Sequence, residues 1–330
     1  MPSSSLAMCY GPIFKFLISK LLLTSLIAET AGSGICQIRK SLRVDATPSE
    51  PSPEPKPKWK NLGVRFFSAI VLLFIAFIPF YYGGWVWAFF VALIGSRMLY
   101  EWVRMSDTEP RLTGYIAPIM GLIAGIVYVM QFQTALSIIA ILATILSVAG
   151  LQAIRKIPER GKRIGWAVLG VAYIVIPCLL ILSLRGHDSG FSSIGFQRLL
   201  FIIFCVAAAD VGAYFGGSII GGAKLAPRIS PNKTWSGFFS GQLLAIVMGS
   251  FIGAIVGIGW VNGAILALPV AILSVLGDLF ESAIKRQLGV KDTGALIPGH
   301  GGFLDRLDSL MAAVLGAAII LAMFPQIWAG

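Results

Sequence analysis

The chain has 330 residues, 57% of them hydrophobic and only 12% charged. So few charged side chains cannot clothe a water-soluble fold of this size, and four scattered cysteines without metal-ligand spacing exclude a disulfide scaffold or a zinc module. The net charge of +11 lies in short loops between apolar runs, with no basic face and no interleaved aromatics, so nucleic acid is excluded as a partner. What remains is a polytopic, all-α integral membrane protein.

In chain order, residues 1–60 form an extension and linker. Leu21–Ala28 is a short apolar run behind Lys15 and Lys20, faintly like a secretory signal. Cleavage there would start the next span outside, against the charge count below. The stretch from Ala46 to Lys60, rich in Pro, Ser, Glu and Lys, reads as a solvated linker. This region is assigned no function.

A membrane-crossing helix needs about 20 mostly apolar residues. Nine segments are expected: Phe66–Tyr82, Trp85–Gly95 (extending to Tyr100 if Arg97 is admitted), Tyr115–Met130, Ala135–Leu151, Gly165–Leu184, Leu199–Gly222, Gly237–Ile258, Gly263–Phe280 and Leu307–Trp328. They group as a three-helix region (61–133), a two-helix region (134–198) and a four-helix region (199–330) that carries the polar chemistry. Alternate connections hold 19 Lys and Arg on one side, against Arg185 and Arg198 on the other. By the positive-inside rule the basic side is cytoplasmic and Gly330 lies outside. An even number of spans would break this alternation.

Asp210 is the only charge between Leu199 and Ala223, near mid-membrane. An ionisable group there costs about 2.5–3.5 kcal/mol on insertion scales, so it is expected to line a polar cavity, the alternative being a protonated Asp bonded to a neighbouring helix. Next come Lys233 and Thr234, a charge and a hydroxyl for a phosphate on a proline-stiffened segment, 224–235. At the end of the eighth span Asp278, Glu281, Ser282 and Lys285 fall on one helical stripe, with Arg286 beyond them. A helix end decorated with interfacial charges would look similar, but here the carboxylate lies deep and the basic residues outward.

The following loop is rich in Gly and Pro and carries Lys291, His300, Gly301 and Gly302; its backbone N–H groups lie ahead of a helix whose positive end favours an anion. His300 reads as a phosphate or base contact, or as a loop hydrogen-bonder. Asp305 and Asp308 flank Arg306 on the first turn of the last helix. Such acids are ordinary N-terminal residues, yet facing Asp278 and Lys285 across one loop they suggest a divalent cation, and magnesium favours carboxylates combined with substrate phosphates.

In order, the chain reads Ser282-Ala-Ile-Lys285-Arg286, Lys291-Asp292, Pro298-Gly-His300-Gly301-Gly302 and Asp305-Arg306-Leu-Asp308, preceded by Gly277-Asp278 and by Ser230-Pro231-Asn-Lys233-Thr234-Trp235. This long pattern closely resembles the CDP-diacylglycerol synthase (phosphatidate cytidylyltransferase) family over roughly Leu199 to Trp328. Upstream, the likeness over Leu62–Leu184 is one of hydropathy only. Ser236 stands where many relatives carry Glu. The resemblance implies conversion of CTP and phosphatidate to CDP-diacylglycerol and pyrophosphate, in a bacterial inner membrane, with the site facing the cytoplasm. It implies Asp278, Asp305 and Asp308 at Mg²⁺, with K⁺ as a companion ion near Ser282, and Lys285 and Asp308 among the catalytic groups. Lys233, Thr234, Arg286, Lys291, His300, Gly301, Gly302, Arg306 and Asp210 are then the candidates for binding substrate. Self-association into a homodimer is left open. A transporter of an anionic substrate would also bury carboxylates, but should show broken spans in both halves.

Overall fold

The computed structural model describes residues 73–328, apart from 108, 156–158 and 295–301. The extension and linker assigned to 1–60 lie outside the described residues, as do 66–72 of the first expected span, His300 and Gly301. All described elements belong to one unit, Lys58–Gly330.

The described elements are α1 (Leu73–Tyr82), α2 (Gly84–Ser106), α3 (Leu112–Met130), α4 (Thr134–Ala153), α5 (Arg160–Arg185), α6 (Ile194–Ile219), β1 (Lys224–Ala226), β2 (Ser230–Thr234), α7 (Trp235–Ile255), α8 (Trp260–Gln287) and α9 (Leu304–Met323). The helices α2 to α9 are eight segments long and apolar enough to cross a membrane. Main-chain groups in hydrocarbon must be satisfied within the segment, which selects helices. Three of them enclose a proline: Pro118, Pro177 and Pro269.

Two departures from the expected elements have local causes. The second span runs on past Arg97 to Ser106, because Arg97 and Glu101 neutralise each other one turn apart at 3.2 Å. Segment 224–234 is an antiparallel hairpin pairing Lys224 with Thr234 and Ala226 with Ser230, which places Pro227 in the turn.

Helices α2 to α5 pack in succession, α6 to α9 likewise, and α5 lies against α6 and α9 to join them. α6 and α7 pack closely, and a Cβ on Gly212 would sit 2.7 Å from the Ser240 carbonyl oxygen. Small residues at such crossings let backbones touch. Cys178 and Cys205 are free and buried, packing residues as their apolar surroundings suggest.

Two charged staples fix opposite ends of the first group. At one end Asp107 accepts from Arg155, from Arg163 at 2.8 Å and from Gln152 at 3.3 Å, tying the C-terminus of α2 to α4 and α5. At the other end Arg185 is 1% exposed and donates to the carbonyls of Phe80, Tyr81 and Asp188 at 2.7, 2.9 and 2.6 Å. It also lies over the Phe80 and Phe196 rings. One of the two basic residues on the charge-poor side is therefore a structural clamp on main-chain oxygens.

Candidate active site

The polar residues converge at one end of the second group, where β2, α8 and α9 meet. The order of events in the sequence explains this. The hairpin delivers Lys233 just before α7 starts, the 3.6-residue period of α8 stacks its four polar side chains, and the 288–303 connection returns the chain beside them at the start of α9.

On α8 the predicted stripe is real. Ser282 Oγ donates to Asp278 Oδ1 at 3.3 Å, and Lys285 Nζ reaches Glu281 Oε2 at 3.3 Å. Across the cleft Lys233 Nζ meets Asp278 Oδ2 at 2.5 Å, both side chains partly open to the surroundings. Lys285 Nζ also meets Asp305 Oδ1 at 2.9 Å, so one ammonium bridges α8 and α9. The two helices can approach this closely because residue 277 has no side chain: a Cβ there would lie 2.8 Å from the Asp308 carbonyl oxygen.

Asp305 is more heavily engaged than a helix-start acid needs to be. Besides Lys285 it accepts from Thr293 N–H at 3.0 Å and from Gly302 N–H at 3.0 Å, so it closes the loop between α8 and α9 on itself. Asp308, one turn further along, is buried, and its carboxyl faces that of the fully buried Glu281. Glu281 Oε1 has no donor among the described residues. Tyr173 of α5 approaches the same cluster; its buried hydroxyl has no partner among the described residues, and its ring packs on Phe280 at 5.4 Å. Asp210 on α6 is exposed and lies within electrostatic reach of Lys233, Asp278 and Asp308.

Other predicted residues take different places. Thr234 is buried and its hydroxyl accepts from Gly237 N–H at 3.1 Å, making it the N-cap of α7. As the N-cap it anchors Lys233, the residue before it, at the start of α7. Ser236 donates to the Gly221 carbonyl oxygen and pairs with Thr234, so it joins that cap. Arg286, Lys291 and Arg306 are exposed around the rim, and Arg286 Nε reaches the Ile229 carbonyl oxygen at 3.4 Å.

No three His, Cys, Asp or Glu side chains converge on one point among the described residues. The donor set is nonetheless of the right kind for a hard dication: oxygen only, with Asp278, Ser282 and Asp308 gathered and a lysine ammonium resting where a cation's charge would be welcome. In this arrangement Asp305 becomes a ligand only by giving up Lys285 or an amide.

The sequence reasoning did not find Glu101. This α2 residue is 1% exposed, and its carboxylate accepts from Leu304 N–H at 3.0 Å and Phe303 N–H at 3.2 Å, at the start of α9. The signal available was a buried-pattern acid four residues after Arg97 inside an apolar run.

The chain is similar to curated proteins over most of its length. It is 39% identical to the phosphatidate cytidylyltransferase of Brucella suis over 275 residues, covering 82% of this chain and 95% of the relative. It is 34% identical to that of Pseudomonas aeruginosa, covering 78% and 96%. With that of Haemophilus influenzae it shares 49% over 127 residues, 36% of this chain and 44% of the relative. The profile of the cytidylyltransferase family matches residues 63–324, and the chain belongs to that family.

Proposed function

We propose that the chain is a phosphatidate cytidylyltransferase, joining CTP and phosphatidate to give CDP-diacylglycerol and pyrophosphate. The observation that carries this reading is the double Lys–Asp junction, Lys233–Asp278 and Lys285–Asp305, at the membrane boundary where α8 and α9 meet. Two polyanions must be brought together there, one arriving from water and one from the bilayer. Phosphate groups compete with Asp278 for the Lys233 ammonium, and the carboxylate so released is then free to face a cation, while Lys285 keeps its own carboxylates.

In the reaction an oxygen of the lipid phosphate attacks the α-phosphorus of CTP, and the bond from that phosphorus to the bridging oxygen of pyrophosphate breaks. A bound Mg²⁺, with K⁺ beside it, would neutralise phosphate charge at Asp278 and Asp308 near Ser282. Lys233 holds the nucleotide phosphates, Lys285 stays anchored by Glu281 and Asp305, and Asp210 orients Lys233 from across the opening. Arg286, Lys291 and Arg306 raise the local concentration of anions at the rim. Positioning and electrostatics supply the catalysis, since the substrates bring both nucleophile and leaving group.

The 19-to-2 distribution of basic residues supports a cytoplasmic site in a bacterial inner membrane. The test is purified protein in nanodiscs supplied with CTP labelled at the α-phosphate. Label should enter lipid, with pyrophosphate released, only when phosphatidate is present. Equal release with glycerol 3-phosphate would overturn the assignment of a membrane substrate.

A further inference from the structure

The family reading places the chemistry on α6 to α9, yet one carboxylate of α2 is built into the start of α9. Glu101 Oε1 accepts from Phe303 N–H at 3.2 Å and from Arg97 Nη2 at 3.2 Å. Its Oε2 accepts from Leu304 N–H at 3.0 Å and from Thr293 Oγ1 at 3.4 Å. The first N–H groups of a helix have no partner within it. Here they are capped by a side chain some 200 residues earlier, while α9 has no capping side chain of its own at Phe303.

The same few residues also serve Asp305. Thr293 gives its hydroxyl to Glu101 and its N–H to Asp305. Gly302 N–H goes to Asp305, and the next two amides go to Glu101. The loop end is thus clamped between two carboxylates, one exposed to the site and one beneath it. There is no slack in the junction: a Cβ on Gly302 would lie 2.4 Å from Thr293 Oγ1 and 2.7 Å from Glu101 Oε2.

We infer that Glu101 is a positioning residue for the transferase reaction, fixing the start of α9 so that Asp305 holds Lys285 in register with Asp278. The inference rests on the function proposed above. It makes the first group of helices a working part of the site. Glu101 touches no reacting atom; it acts through Thr293, Gly302 and the first turn of α9. A neutral amide cannot replace it, because a Gln at 101 presents a donor to at least one of the four donors now gathered there.

Glu101→Gln and Thr293→Val, each in nanodiscs, test this with three measurements: steady-state kinetics, thermal unfolding, and amide hydrogen exchange of the segment spanning 293–304. For Glu101→Gln the turnover number should fall at least tenfold while KM for CTP changes less than threefold. Exchange of the 302–304 amides should quicken at least tenfold, with the unfolding midpoint of the helical bundle within a few degrees of wild type. Thr293→Val removes one donor and keeps the main-chain bond to Asp305, so it should lower turnover about threefold with KM unchanged. It decides the matter alone if Glu101→Gln does not fold. Unchanged turnover with faster exchange would overturn the inference and leave Glu101 a helix cap only. A loss confined to KM, or one that simply follows the unfolded fraction, would overturn it too. Absence of activity in the wild-type protein would instead sink the transferase reading, while the exchange arm still reports whether Glu101 holds the loop.

Discussion

Lys233 and Asp278 meet at 2.5 Å across the cleft between the hairpin and α8, a cation and an anion from segments 45 positions apart, each partly open to solvent. Asp278 is further steadied by Ser282 on its own helix, whereas Lys233 is held in place through the buried cap at Thr234. The pair is therefore preorganised on the protein side and exchangeable on the solvent side, which suits a lysine that trades a carboxylate for a phosphate.

The two halves of this pair should fail differently. Lys233→Met removes the proposed phosphate contact, one made in ground state and transition state alike, so KM for CTP should rise about tenfold with a smaller effect on turnover. Asp278→Asn removes charge from the proposed cation site and should lower turnover at least about a hundredfold. Identical kinetic signatures for the two variants would show that the ion pair, rather than each partner, is what the reaction needs.

Asp305 offers a sharper test of geometry. Asn at this position must turn its amide toward either the Lys285 ammonium or the Thr293 and Gly302 N–H groups, and either choice sets donor against donor. Turnover of Asp305→Asn should drop at least about a hundredfold without loss of folded protein, and excess Mg²⁺ should not restore it. The exposed Asp188, in the connection between α5 and α6, serves as control: its side chain bonds nothing among the described residues and only its main-chain carbonyl touches Arg185. Asp188→Asn should be near normal, and wild-type rates for both would remove Asp305 from the site.

Much of this arrangement is legible because charges inside apolar runs are costly and helical periodicity is rigid. Asp278, Glu281, Ser282 and Lys285 could be placed on one face from spacing alone, and they do bond one turn apart, Ser282 to Asp278 and Lys285 to Glu281. The capping role of Thr234 is not legible for a reason equally physical. A hydroxyl before a helix looks the same whether it caps the helix or binds a ligand, and only burial separates the two. Glu101 escaped because its partners are main-chain N–H groups, which carry no residue identity and lie on a helix far along the chain. The hairpin escaped because Pro227 and Pro231 read as a stiff loop, although a two-stranded edge tolerates both.

Topology can be checked without any assay of activity. A reporter fused after Gly330 should lie outside the cell membrane, and one inserted near Arg160 should lie inside, because the stretch from Gln152 to Ile164, which includes the first turn of α5, carries five basic residues. Both reporters on one face would contradict the alternation on which the proposed cytoplasmic site rests.

The Asp107 staple gives a stability prediction away from the chemistry. Burial alone would raise the pKa of this carboxyl, but hydrogen bonds from Arg155, the Glu109 N–H and Gln152, with the Arg155 charge, outweigh it and hold the value below the usual carboxylate range. A depressed folded-state pKa means that the contribution is fully present above the unfolded-state value near ~4 and is lost as pH falls through the folded-state value. The stability gap between wild type and Asp107→Asn should therefore be constant at neutral pH and shrink as the medium is acidified below about pH 4. Arg155→Met should cost about 3 kcal/mol at pH 7, since it strands a buried carboxylate, though Arg163 still reaches Asp107. The double variant Asp107→Asn/Arg155→Met should lose less than the sum of the two single losses, because the stranded charge is gone. Reversible unfolding in mixed micelles, followed by circular dichroism across pH 3 to 8, measures all three. A gap that widened in acid would mean Asp107 is protonated in the folded protein, and the staple would have to be redrawn as a neutral hydrogen-bond cluster.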